Sequence, residues 1–90
     1  MGNAITLDSR ALWLSLHAHG GWWTAARLTR HWAPTFQERE VAEHLWALHR
    51  GGFVARREVP EGRLRITAYA FTDLCRALPG HDLQLERSPV

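Results

Sequence analysis

The chain has no lysine and a single cysteine in 90 residues. One thiol cannot close an intrachain disulfide, so no disulfide framework is expected and a cytoplasmic protein is the default. The longest unbroken apolar runs are only about four residues, as in Ala11–Leu14, far short of the roughly 20 that cross a bilayer. No membrane association is expected. The start, Met1-Gly2-Asn3-Ala4, lacks the basic stretch and apolar block of a secretory signal. There is no internal repeat and no low-complexity tract. Charge of one sign is also scarce: 11 basic residues against 9 acidic leave +2. That balance does not exclude a polyanionic partner, because all the basic residues are arginine. Arginine is the planar, bidentate partner of phosphate and guanine. The six histidines add positive charge below about pH 6.5.

Arrangements that carry catalysis or hold a cofactor are missing too. Gly20-Gly21 and Gly51-Gly52 read as helix stops, and no glycine loop cradles a phosphate. Ser9 and Ser15 have no recognisable base and orienting group. Glu38, Glu40 and Glu43 have a capping and surface explanation. His17 and His19 fall on separated helix faces. His44 and His49 are not at the i, i+4 spacing that shares an ion, and Cys75 has no second thiolate. No enzyme, metal or cofactor is expected. Cys75, near Leu74 and Leu78, reads as a small buried residue.

What is present is one domain's worth of amphipathic segments, over residues 1–80, with a polar tail at 81–90. A first helix is expected from Asp8 or Ser9, either of which can cap it, to His19, with Leu12 and Leu16 inward. A short second helix is expected over 24–31, capped by Thr24. A third is expected at 36–50, with Thr35 and Glu38 forming a capping box and Val41, Leu45 and Leu48 repeating at i, i+4, i+7. Two strands follow, 53–59 and 64–70, with a turn over Pro60–Arg63. In the second strand Leu64, Ile66, Ala68 and Ala70 alternate with Arg63, Arg65, Thr67 and Tyr69, a half-buried pattern with a basic outer face. A last helix over 73–79 is expected from the Thr72 cap and from Leu74 and Leu78. Only Leu83 and Leu85 could anchor the tail. The fold class is α+β, mainly α: a winged helix-turn-helix with a three-helix core, a two-stranded hairpin and a short C-terminal helix. In that order of elements the third helix can enter a major groove while the second crosses the backbone.

The stretch Leu45-x-x-Leu48-His-Arg-Gly-Gly52-Phe53-Val54-x-Arg56-Arg57 resembles the end of the recognition helix and first wing strand of MarR, HxlR and PadR-type regulators. The stretch from Arg65 through Tyr69, Phe71-Thr72-Asp73, Cys75 and Leu78-Pro79 resembles their second wing strand and following helix. The resemblance spans about residues 9–79. It implies a DNA-binding domain, usually dimeric, that regulates transcription. Cys75 stands where the family has glycine, and Phe71 where it has leucine. The long dimerising helices of the family are not present here.

The expected DNA contacts follow. On the third helix Phe36, Arg39, Glu40, Glu43, Trp46, Ala47 and Arg50 form the outward arc. Gln37 lies at the start of that helix. Arg39 can pair with guanine, and Glu40 or Glu43 can accept from cytosine. Alternatively Arg39 and Glu43 pair with each other on a solvated face. The glutamates suit the helix dipole but repel phosphate. Arg56, Arg57, Arg63 and Arg65 make the hairpin basic, either for phosphate and minor groove or as a solvated face. Arg27 and Arg30 suit phosphate positioning. Trp32 fits the core. Trp13, Trp22 and Trp23 are candidates for a homodimer or partner surface, since aromatic residues concentrate at interfaces; the bland alternative is that they cap the core's edges. The competing functional reading is a winged-helix protein-interaction module or complex subunit without DNA binding. The low net charge and the acidic third helix favour it.

Overall fold

A computed structural model describes residues 6–78. The tail over 81–90 and the first residues, Met1–Ala4, lie outside the described residues. The order is α1 (Leu7–His19), β1 (Trp23–Thr24), α2 (Ala25–His31), α3 (Glu38–Arg50), β2 (Ala55–Glu61) and β3 (Leu64–Ala70). This is a small α+β fold of three helices and a three-stranded antiparallel sheet in the order β1-β3-β2.

The cap of α1 is Thr6 rather than Asp8 or Ser9. Its Oγ1 accepts from the Ser9 backbone N–H at 3.0 Å. Ser9 lies one turn further in and is buried, where its Oγ meets His44 Nδ1 of α3 at 2.9 Å. A residue suited to capping thus ties two helices together. Leu12, Trp13 and Leu16 form the buried stripe of α1. Trp13 is 0% exposed, donates from Nε1 to the Phe53 carbonyl at 3.0 Å, and lies edge-on to Phe71. Thr24 caps α2 as expected, its Oγ1 accepting from Arg27 N–H.

The start of α3 moves by two residues. Thr35 closes a turn instead, donating its N–H to the Trp32 carbonyl at 2.8 Å. Phe36 is then drawn into the core, so the cap falls on Gln37, whose N–H donates to Glu40 Oε1 at 2.9 Å. Phe36 and Val41, both buried, stand at the two positions of a hydrophobic staple. Val41, Leu45 and Leu48 are all 0% exposed. The far end of α3 closes with the Phe53 N–H on the Leu48 carbonyl and the Gly52 N–H on the His49 carbonyl, a Schellman motif. Gly52 supplies the left-handed residue it needs, with φ +84. Gly51 is required for a different reason, because a Cβ there would sit 2.6 Å from the Phe53 ring.

The hairpin starts two residues later and turns more tightly than the sequence pattern implied. Phe53 and Val54 belong to the buried connection, and β2 begins at Ala55. Pro60 lies within β2, opposite Arg65, and is tolerated because β2 is an edge strand. The turn is the two-residue Gly62-Arg63, with Gly62 at φ +62. The alternation expected for β3 is replaced by a gradient, exposed at Leu64 and Arg65, half-buried at Ile66 and Thr67 and buried from Ala68 on. Ala68, Tyr69 and Ala70 are all buried, at the end of β3 where β1 pairs with Ala68 and Tyr69 and both edges of the strand are occupied. Leu64, expected inward, is 69% exposed near the tip.

The last helix does not form among the described residues. Thr72 does cap a turn, its Oγ1 accepting from Leu74 N–H and its carbonyl from Cys75 N–H. The chain then leaves helical geometry because Arg76 bonds elsewhere. Its N–H donates to the Gly52 carbonyl, and its Nη1 to the Gly51 carbonyl, both at 2.9 Å. Leu74 is consequently 95% exposed, while Leu78 is buried. Cys75 is half-buried rather than buried.

Candidate nucleic-acid interface

With Val41, Leu45 and Leu48 turned inward, the opposite face of α3 presents Arg39, Glu43, Trp46 and Arg50 at i, i+4, i+7 and i+11. All four are exposed. Arg39 and Arg50 stand about 16 Å apart along the axis. Neither guanidinium forms an ion pair or hydrogen bond within the described residues, and Arg39 does not close on Glu43. Glu40 is committed to the cap at Gln37 and looks back toward the start of the helix. Phe36, placed on the outward arc by the sequence wheel, is in the core because it precedes the helix.

The hairpin arginines divide sharply. Successive strand residues face opposite ways, so Arg56 and Arg57 grip the hairpin root from two sides. The Arg56 guanidinium lies 5.2 Å from the Trp46 ring on α3, and that of Arg57 lies 4.2 Å from the Trp22 ring in the loop before β1. Arg65 donates from Nε to Glu58 Oε1 at 3.2 Å. That pair is open to solvent and adds little stability. Arg63, in the turn, has no such partner among the described residues. On α2, Arg27 stacks 3.9 Å from the Trp23 ring and donates to the Trp22 carbonyl, whereas Arg30 is exposed and unengaged. Of the expected arginines, the structure therefore leaves Arg30, Arg39, Arg50 and Arg63 with free guanidinium groups.

Two of the three tryptophans expected at a dimer or partner surface are withdrawn from solvent. Trp13 is enclosed, and Trp23 is buried with its Nε1 on the Gly20 carbonyl at 2.7 Å. Trp22 is half-buried beneath Arg57. The small core accommodates two of these rings because Trp23 belongs to the sheet and closes one end. Trp32 lies at the core's edge, edge-on to Phe36. The most exposed indole is Trp46, at 46%.

One feature had no local signal in the sequence. A groove of about 450 Å³ runs between the start of α2, α3 and β3. Its lining includes the small residues Thr24, Ala25, Ala26 and Ala42 and two acidic residues, Glu38 and Glu61. These two residues are 23 positions apart, and only the fold brings them to one groove. Among the described residues, no three histidine, cysteine, aspartate or glutamate side chains converge as a metal site would require. No helix among them is long and apolar enough to cross a membrane.

Comparison with protein families, with curated proteins and with solved structures finds no match to this chain.

Proposed function

We propose that this protein is a winged helix-turn-helix regulator of transcription that binds duplex DNA. In this reading α3 is the recognition helix in the major groove, α2 crosses the backbone, and β2–β3 is the wing. The observation that carries the reading is the outward row of α3: two unpaired guanidinium groups on a helix whose opposite face is fully packed. Guanine O6 and N7 accept such groups bidentately. Arg30 on α2 and Arg63 in the hairpin turn are the other two free guanidinium groups, and phosphate contacts there would set register.

Titration against duplex DNA at several salt concentrations tests this. Each phosphate contact contributes about 0.9 to the fall of log K with log salt. Arg63→Ala should lower that slope by about one contact's worth. Two copies on a two-fold site belong to the same proposal. Gel filtration over a range of concentrations should show the dimer, and elution as a monomer throughout would remove it.

A second reading has its own observation. Glu38 and Glu61 in the groove beside the hairpin repel phosphate and suit a cationic protein segment. Absence of DNA binding at about 50 mM salt, where phosphate contacts are strong, would transfer the fold to that role, a protein-interaction module.

A further inference from the structure

Trp46 occupies the middle of the α3 row, one turn from both Glu43 and Arg50, and it is held there. The Arg56 guanidinium lies 5.2 Å from its ring centroid, and the His49 ring lies 5.6 Å away. His49 is itself anchored, its Nδ1 lying 3.3 Å from the Val54 carbonyl. A carbonyl only accepts, so the imidazole hydrogen sits on Nδ1 in this contact. The indole is thus a large apolar surface, nearly half open to solvent, with its rotamer already restrained. Restraint before binding lowers the entropic cost of a contact. Its neighbours in the row are all charged, and charged groups read hydrogen-bonding edges. An indole cannot read those edges from its carbon surface. In the major groove the apolar mark on a base is the C5-methyl group of thymine.

We propose that Trp46 reads the C5-methyl group of a thymine lying between the positions read by Arg39 and Arg50. This inference rests on the DNA-binding reading above. It assigns sequence discrimination to a residue that also braces the hairpin, so the groups reading the helix face and the hairpin are mechanically joined.

The test begins with selection of binding sites from random duplexes by the full chain. In the enriched site each thymine is replaced in turn by uracil, which removes only the methyl group. One thymine should lose about fourfold in affinity on replacement, the worth of one buried methyl. Trp46→Ala should bind the thymine and uracil duplexes equally, with its fold checked by far-UV circular dichroism. The thymine-to-uracil comparison uses the unaltered protein, so it stands even if the variant is unstable. Equal affinity of the unaltered protein for thymine and uracil at every position would overturn the inference while leaving DNA binding intact. So would uracil sensitivity that persists in Trp46→Ala. Failure to enrich any sequence, with no binding at low salt, would overturn both this inference and the DNA-binding reading; Trp46 would then be a platform for Arg56 or a protein contact.

Discussion

Replacing Trp13 by alanine should lower the melting temperature by roughly 15–30 °C, the largest stability loss expected from a single change in this chain. The indole is fully enclosed, contacts Phe71 edge-on, and donates to the Phe53 carbonyl. Truncation opens a ring-sized cavity, which costs about 3–5 kcal/mol in comparable cores. It also leaves the Phe53 carbonyl without that donor. Phe53 anchors the Schellman closure of α3, so the defect reaches the helix end. A chain of this length holds only about 5–13 kcal/mol in total. Thermal melting followed by far-UV circular dichroism measures the effect. A melting temperature within a few degrees of the parent would show that Trp13 is not the keystone of the α1–α3 contact. Trp13→Phe separates the parts: it keeps most of the volume and removes the hydrogen bond, so a smaller fall is expected.

Removing both free guanidinium groups of α3 should have the largest effect on binding. Arg39→Ala and Arg50→Ala should each weaken a selected duplex site by about tenfold or more, and the double variant by about hundredfold or more. The positions are about 16 Å apart, so the two losses should add. Affinity for random duplex should fall less than affinity for the selected site, because base contacts carry specificity and phosphate contacts do not. Neither side chain packs on the core, so melting temperatures should stay near the parent value. Equal losses on selected and random duplex would reduce both arginines to phosphate contacts.

The sequence made the helices legible wherever burial was one-sided. Val41, Leu45 and Leu48 locate α3 to within two residues, and Thr24 marks the start of α2. It misled where two local signals competed. Thr35 looks like a better cap than Gln37, yet burial of Phe36 decides where the helix can begin. Thr72 looks like a helix start, and it does cap one turn. The bonds that Arg76 makes to Gly51 and Gly52 then win over continuation, and those partners lie 24 and 25 positions away. The arginine-rich hairpin was visible as charge, but not which of its charges are free. Stacking of Arg56 on Trp46 and of Arg57 on Trp22 depends on strand register and on the loop before β1, neither of which has a local code. The enclosure of Trp13 and Trp23 was hidden for a related reason. A count of large rings against core volume omits the sheet, whose short first strand supplies the wall on which Trp23 lies.

The adjacent stacks of Arg56 and Arg57 turn the hairpin into a cross-braced strut. Sway in either direction at the root must separate one guanidinium from its indole. Bending is therefore displaced outward, beyond Val59, onto the segment ending in Gly62 and Arg63. One of the two braces terminates on α3 itself, so a load applied at the tip is delivered to the rod that bears Arg39 and Arg50. That path runs through one ring and one planar cation, Trp46 and Arg56, while the second brace ties the hairpin to the loop before β1.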